Sequence, residues 1–167
     1  MIEIDQLNPD SQLLRRAFGS FPSGVVAVAA LEGDTPVGMT MSSFTSVSLS
    51  PPLAAVCVQK ESRTWPRLRA CQRLGVSILA RGHDDACLRL SSKNDDRFSG
   101  VTWEASANRS VFIQGAVAWL DCQSYGEIPA GDHQIILLTI LGVTVEPGEG
   151  PLVFHASRFR SLADAVA

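Results

Sequence analysis

The hydrophobic pattern of the chain consists mainly of short apolar or alternating runs, which are typical of β-strands. The run Gly24–Leu31 is rich in valine and alanine, and the turn residues Glu32–Thr35 separate it from an extended segment that begins at Pro36. These two segments predict a β-hairpin. Further strands are predicted over Ser43–Leu49, Leu53–Val58, Leu74–Ala80, Val111–Cys122, Ile135–Val145 and Leu152–His155.

Helical spacing of apolar residues is confined to short segments. One helix is predicted over Ser11–Phe18, where Gly19 supplies a stop signal. Ser62 is predicted to cap a second helix, because Pro66 would then fall in the first turn, where its missing N–H costs nothing. Asp84 or Asp85 is predicted to cap a third. The two later helices carry these apolar residues: Trp65, Leu68 and Cys71, then Ala86, Cys87, Leu88 and Leu90.

Many strands, few helices and no β-α-β alternation predict a mostly β, antiparallel barrel with peripheral helices. The chain shows no internal repeat and no linker. We therefore expect a single domain over residues 1–167.

Composition then narrows the classes of function. Hydrophobic residues make up 46% of the chain and charged residues 19%, which argues against disorder, and the net charge of -3 gives no general attraction to nucleic acid. The N-terminal residues contain no apolar run, so no secretory signal is expected. The longest apolar runs are far shorter than the roughly 20 residues that a membrane helix needs. These observations predict a cytoplasmic protein without a membrane or nucleic-acid partner.

Common cofactor and metal motifs are missing from the sequence. No G-x-G-x-x-G follows a predicted strand, which excludes the usual dinucleotide-binding turn. The three histidines are not spaced as metal ligands, and the four cysteines contain no C-x-x-C pair, so no metal site is expected. The cysteines are interpreted as buried, reduced thiols, and Cys57 as a packing residue at the end of a buried strand.

The segment Pro36–Leu53 stands out because it combines strand-like spacing with many serines and threonines. From the residues alone, it is either a polar surface strand or a ligand-binding strand. The roles of Lys60 and Arg63 are also undecided from the residues alone: each is either a solvated charge or a ligand for an anion. His133 follows Gly131-Asp132 at the start of an apolar strand, where it is either a structural residue or one that projects into a pocket.

An ordered series of motifs settles these alternatives by resemblance. The chain resembles the flavin reductase-like family of split-barrel proteins, the reductase partners of two-component aromatic monooxygenases. The motifs that carry the resemblance are Phe21-Pro-Ser-Gly24, the G-x-x-x-S-S-F-x-S-V-S-L-x-P-P segment from Gly38 to Pro52, Lys60 to Trp65, Ser91-Ser-Lys93, Asp96 to Gly100, Gly131-Asp-His133 and Pro151 to Phe154.

This resemblance implies a split β-barrel of the FMN-binding type, a homodimer, and hydride transfer from NADH or NADPH to FMN or FAD. The reduced flavin would pass to a separate oxygenase component. The resemblance also implies the residues that bind flavin, namely Pro36, Val37, Gly38, Met39, Thr40, Ser42, Ser43, Cys57, Val58, Gln59, Lys60, Ser62, Arg63, Thr64, Ser91 and Ser92.

The resemblance further assigns His133 to the nicotinamide, as the catalytic residue, with His155 and Arg158 as additional dinucleotide ligands. The chain departs from the family where Leu138 stands in place of a common glycine, so strand geometry near His133 is expected to differ. Two other functions stay open: a flavin carrier or sensor without turnover, and a pyridoxamine-phosphate-oxidase-like enzyme on the same barrel.

Overall fold

The computed structural model describes residues 2, 11–94, 96–148 and 150–162. The helices in these residues are α1 (Ser11–Gly19), α2 (Trp65–Arg69) and α3 (Asp84–Ser91). The strands are β1 (Ser23–Gly24), β2 (Val26–Glu32), β3 (Thr35–Met41), β4 (Thr45–Leu49), β5 (Pro52–Gln59), β6 (Leu74–Ile78), β7 (Trp103–Ala105), β8 (Val111–Ile113), β9 (Ala118–Ala130), β10 (His133–Val145), β11 (Val153–His155) and β12 (Arg158–Arg160). No described helix is long and apolar enough to cross a membrane.

The main sheet has seven antiparallel strands in the order β3-β2-β6-β9-β10-β5-β4. Its two edge strands, β3 and β4, follow each other in the chain, and no ladder joins them in the described residues. A smaller sheet combines β1, β11 and β12, and a two-stranded ribbon pairs β7 with β8. The sheet is therefore open beside β3, and the candidate functional site described below lies at this open side.

Strand β2 separates two hydrophobic cores, which explains why its apolar run shows no polar alternation. Side chains of successive strand residues point to opposite faces. Val26 and Val28 pack inside the main sheet, whereas Ala27 and Ala29 pack against a second cluster that includes Leu90 of α3. Because both faces are covered, residues 25–30 are all buried.

The structure corrects several predicted boundaries. The single strand expected over Val111–Cys122 is two strands, because the chain turns between β8 and β9 and Gly115 takes a φ of 73°. That left-handed conformation suits glycine. The strand predicted to end at Ala80 ends at Ile78. Strands β1, β7 and β12 were not predicted, because each is too short to show a period.

The predicted helix starts are also wrong in detail. The N-cap position of α2 is Thr64 rather than Ser62, and the helix ends at Arg69, before Cys71. The N-cap position of α3 is His83, so Asp84 and Asp85 lie in its first turn. Carboxylates in a first turn still interact favourably with the partial positive charge of the helix N-terminus.

Candidate functional site

A cleft of about 640 Å³ lies at the open side of the sheet, between the ends of β3 and β5, the loop before α2 and the end of α3. Its lining combines hydroxyl, apolar and basic side chains. The lining residues are Met39, Thr40, Met41, Ser42, Ser43, Cys57, Val58, Gln59, Glu61, Ser62, Arg63, Thr64, Leu90, Ser91, Ser92, Lys93, Arg97 and His133.

Most of the residues predicted for flavin and nicotinamide binding meet in this cleft. Pro36, Val37 and Gly38 line a smaller adjoining pocket of about 150 Å³, which shares residues such as Arg63 and Thr64 with the cleft. Lys60 lines neither cavity. Its backbone N–H donates to the carbonyl oxygen of Asp132 at 3.0 Å, which ties this loop to the β9–β10 turn.

The two residues predicted as further dinucleotide ligands lie outside the cleft. His155 and Arg158 are paired across β11 and β12, next to the pair Phe154 and Phe159. Adjacent pairs of a ladder point to opposite faces. His155 lines a groove beside α1, and Arg158 is exposed.

Sequence reasoning missed five lining residues: Met41, Glu61, Leu90, Lys93 and Arg97. Lys93 and Arg97 stand inside motifs that carried the family resemblance, Ser91-Ser-Lys93 and Asp96 to Gly100. The presence of basic residues within those motifs could have identified Lys93 and Arg97 as lining residues. Leu90 had the periodicity of a core residue, and it is indeed fully buried.

Ser43 closes the gap between β3 and β5 with its side chain. Its hydroxyl accepts a hydrogen bond from the backbone N–H of Cys57 at 2.8 Å and donates to the carbonyl of the same residue at 3.2 Å. The ladder between β4 and β5 reaches only Ala55, so Cys57 has no strand partner on this side in the described residues. The serine side chain thus replaces a missing strand at the edge of the cleft.

The loop before α2 is fixed by side chains that also line the cleft. Ser62 Oγ accepts a hydrogen bond from the Trp65 N–H at 3.1 Å and lies 3.9 Å from Met39 Sδ. Trp65 is buried, and its indole N–H donates to Glu127 at 3.2 Å. These contacts hold the hydroxyl-bearing loop against β3.

Arg97 connects three walls of the cleft. Its Nη1 donates to Thr64 Oγ1 at 2.8 Å and lies 3.4 Å from the Gly38 carbonyl and 3.5 Å from the Leu90 carbonyl. By contrast, Arg63 and Lys93 are exposed and form no ion pair with any residue that the structure describes. These two cations are therefore available to an anionic ligand at this end of the cleft.

His133 lies at the start of β10, and its side chain is 37% exposed. Nδ1 is 2.7 Å from an oxygen of the Asp132 carboxylate. Since a carboxylate only accepts, this contact requires a proton on Nδ1, and it leaves Nε2 directed away from Asp132. The same hydrogen bond lowers the pKa of Asp132 below its ordinary value. The aspartate thus orients the imidazole.

The structure corrects the interpretation of Cys57. Cys57 is exposed and lines the cleft, although the residues before and after it, Val56 and Val58, are fully buried. An unbroken apolar run concealed this alternation. Cys87 and Cys122 are buried as expected, and burial raises the pKa of the Cys122 thiol to about 12. Among the described residues, no cluster of three or more His, Cys, Asp or Glu could hold a metal ion.

Comparison with known proteins gives consistent results. The profile of the flavin reductase like domain matches residues 18–163. A flavin reductase of Pseudomonas putida is 37% identical over 155 residues, which cover 92% of this chain and 91% of that protein. The reductase subunit HsaB of a flavin-dependent monooxygenase of Mycobacterium tuberculosis is 30% identical over 155 residues, covering 92% of this chain and 83% of the subunit.

The fold also matches solved structures. The NADH:FAD oxidoreductase SgcE6 of Streptomyces globisporus, in complex with NAD and FAD fragments, superposes with a TM-score of 0.91 at 37% identity. The match covers 98% of this chain and all (100%) of that one. The predicted fold class, a mostly β split barrel with peripheral helices, is confirmed.

Proposed function

Since this chain belongs to the flavin reductase-like domain family, we propose that it is an NAD(P)H-dependent flavin reductase that supplies reduced flavin to a separate oxygenase. The observation that carries the proposal is the cleft itself. It brings together apolar side chains, hydroxyls, one oriented histidine and two cations that form no ion pair within the described part of the chain, all from segments that are distant in the sequence.

The chemistry of the lining fits a flavin. Met39, Met41 and Val58 offer apolar contact to a planar ring system. Arg63 and Lys93 offer charge to a phosphate. Ser42 and Ser92 add hydroxyls to the same lining. A cleft lined by apolar side chains, hydroxyls and cations thus offers contacts both to the ring and to the phosphate of a flavin.

A bound flavin would supply a hydride acceptor for the nicotinamide, and this chemistry would need the two rings in contact and no acid or base at the transferring carbon. The protein therefore acts by positioning. Ser43 and Arg97 fix the walls, and the Asp132 carboxylate orients His133 at the cleft. We assign His133 to the nicotinamide side of the site, where its ring stabilises negative charge that develops during transfer.

NADH and FAD are the first pair to test, because SgcE6 is an NADH:FAD oxidoreductase, and FMN and NADPH are the alternatives. The experiment is titration of the purified protein with FMN and FAD, followed by steady-state oxidation of NADH and NADPH under air with added flavin. Sustained oxidation that depends on flavin supports the proposal. Tight flavin binding without any turnover would refute it and support a carrier instead.

Relatives that are reductase subunits of monooxygenases, HsaB among them, support the proposed partner oxygenase. Its test is a coupled assay, in which the chain and NADH support hydroxylation by an oxygenase that is inactive alone. Failure with every oxygenase encoded beside the chain's gene would refute this role. Four free cysteines fit a reducing compartment, and we place the protein in the cytoplasm.

We also propose a homodimer, formed through exposed apolar residues of β10 and β4, the two strands on either side of β5. Leu141, Val143 and Val145 lie on β10 at alternate positions and are 48%, 65% and 65% exposed, and Leu49 of β4 is 96% exposed. Exposed apolar groups of this kind mark association surfaces. Light scattering after gel filtration should give twice the chain mass, and Val143→Glu should give a monomer. A monomeric wild-type protein would refute the proposal.

A further inference from the structure

A histidine that the proposed function does not use holds the start of α3. His83 occupies the N-cap position, and its carbonyl accepts a backbone hydrogen bond from Cys87 of the helix at 2.8 Å. Its ring lies just past the end of β6, where the N–H of Ala80 donates to Nδ1 at 3.1 Å. Ala80 is 1% exposed, so this N–H is shielded from water and depends on the imidazole for its partner.

The other ring nitrogen of His83 faces the turn between β8 and β9. The Gln114 carbonyl accepts a hydrogen bond from the ring, and Nε2 lies 3.5 Å from the place that a Cβ on Gly115 would occupy. Since Nδ1 is the acceptor for Ala80, the proton of the neutral ring is on Nε2. The neutral imidazole thus joins three segments: the end of β6, the start of α3 and the β8–β9 turn.

The far end of α3 forms a wall of the cleft. Leu90, Ser91 and Ser92 line the cleft at this end. Thr40 of β3, which lines the cleft as well, donates from Oγ1 to the Cys87 carbonyl at 3.4 Å. The helix has eight residues and is therefore about 12 Å long. Detachment of its first turn would therefore act on the wall of the cleft only two turns away.

A proton on Nδ1 is incompatible with this arrangement. It would turn Nδ1 from an acceptor into a donor, so that two N–H groups face each other and the Ala80 N–H loses its partner. It would also place a positive charge at a helix N-terminus, where the backbone dipoles are already positive.

The surroundings of the ring oppose that proton. Burial lowers the pKa of His83 below its ordinary value, although the Gln114 carbonyl and the Asp84 carboxylate act to raise it. Within the described residues, Asp84 is the charged group that acts on the ring, whereas the end of β6 and the β8–β9 turn present backbone groups to it.

Resting on the proposed function, we propose that His83 is a pH-sensitive switch, whose protonation releases the start of α3 and thereby weakens flavin binding at the other end of the helix. The ring has its lower pKa when α3 is attached. The attached state is therefore favoured above the ordinary histidine pKa of about 6.5, and this stabilisation is lost as the pH falls through the lower folded value. By reciprocity, bound flavin should favour the attached state.

Hydrogen exchange measures the release of α3 without flavin. In the wild-type chain, protection of the α3 amides, corrected for the intrinsic exchange rate at each pH, should fall by roughly 5- to 150-fold between about pH 7.5 and about pH 5. This is the ratio expected when one buried N–H loses its acceptor. His83→Asn keeps a side-chain acceptor at the N-cap and cannot be protonated in this range, so its protection should not depend on pH. His155→Asn, at a histidine of β11 outside the cleft, is the matched control and should behave as wild type.

Flavin binding tests the connection between the switch and the site. The dissociation constant for FAD should rise more steeply with falling pH in the wild-type chain than in His83→Asn. Parallel FAD profiles would overturn the connection between His83 and the cleft, and wild-type α3 protection that does not change with pH would overturn the switch itself. Failure of FAD to bind at any pH would refute the proposed function, whereas hydrogen exchange would still test the switch.

If His83→Asn does not fold, NMR of the wild-type chain supplies the test, because the chain has only three histidines. The His83 ring should carry its proton on Nε2 at neutral pH and should titrate with a pKa below the ordinary histidine value. A neutral ring with its proton on Nδ1, or a pKa at or above the ordinary value, would overturn the proposal.

Discussion

Replacement of His133 by alanine tests the mechanism most directly. In a buried site, loss of one group that stabilises charge in the transition state lowers the rate by about 100- to 1000-fold. The His133 side chain is 37% exposed, so solvent screens part of this effect. We therefore expect flavin reduction to slow by about 10- to 100-fold, which corresponds to about 1.4 to 2.7 kcal/mol of barrier.

The assay is anaerobic stopped-flow reduction of the preformed flavin complex by NADH, with loss of flavin absorbance as the signal. The flavin dissociation constant should stay within about twofold of wild type, because the ring is assigned to the nicotinamide. Asp132→Asn should give a smaller loss of rate, since it keeps the imidazole and removes only the carboxylate that orients it. A wild-type reduction rate together with wild-type NADH affinity in His133→Ala would refute the assignment.

The acid range gives a further check on this pair. Because the folded-state pKa of Asp132 is lowered, the contribution of its hydrogen bond to stability is present above the unfolded pKa and is lost as the pH falls through the folded value. Between pH 5 and about 8 the carboxylate therefore stays ionised. As the pH is lowered below the unfolded pKa, the free energy of unfolding of the wild-type chain should therefore fall more steeply than that of Asp132→Asn, and parallel pH profiles would contradict this account.

Three further predictions concern thiols, hydroxyls and stability. Cys57 should be the first thiol to react with Ellman's reagent, and saturating flavin should slow that reaction. The fast phase should be absent from Cys57→Ser. A reaction rate that flavin does not change would show that Cys57 lies outside the flavin site. Ser43→Ala should lower the free energy of unfolding in urea by about 1 to 2 kcal/mol, because it leaves the backbone N–H and carbonyl of Cys57 without their hydrogen-bond partner. Ser91→Ala, at an exposed helix end, should lower it by less than about 0.5 kcal/mol. Equal losses in the two variants would contradict the structural role of the Ser43 hydroxyl. Gln134 Oε1 is buried without a partner among the described residues, so Gln134→Met should raise stability by about 1 kcal/mol and Gln134→Glu should lower it; a loss in Gln134→Met would show that the amide is satisfied.

The sequence was sufficient to predict those strands whose hydrophobic pattern is recognisable within the strand itself. The run in β2 is long enough, and buried enough on both faces, to be recognised without any tertiary information. The two segments that line the cleft, around Met39 and around Ser62, were found because the resemblance assigned them by position. Their spatial proximity does not follow from any periodicity, since β3 and β5 are not neighbours in the sheet.

The features that were missed depend on contacts between distant segments. The exposure of Cys57 results from the missing strand beside β5, which an apolar run cannot reveal. Lys93 and Arg97 enter the cleft because the segment after α3 folds back onto β3 and Thr64. The position of His155 depends on which face of a three-residue strand turns toward α1, and such strands are too short to show alternation.

The incomplete pairing of β5 also explains why hydroxyl-rich sequence and ligand site coincide. If a further strand continued beside β5 past Ala55, it would satisfy the backbone groups of Cys57 and fill the space that is now the cleft. The chain instead satisfies those groups with Ser43, a side chain small enough to leave the cavity open. The Ser43 hydroxyl therefore stabilises the edge of β5 and at the same time leaves the cleft accessible to a ligand. The concentration of serines and threonines between Gly38 and Ser50 is consistent with an edge of the sheet that must remain hydrogen-bonded without being covered.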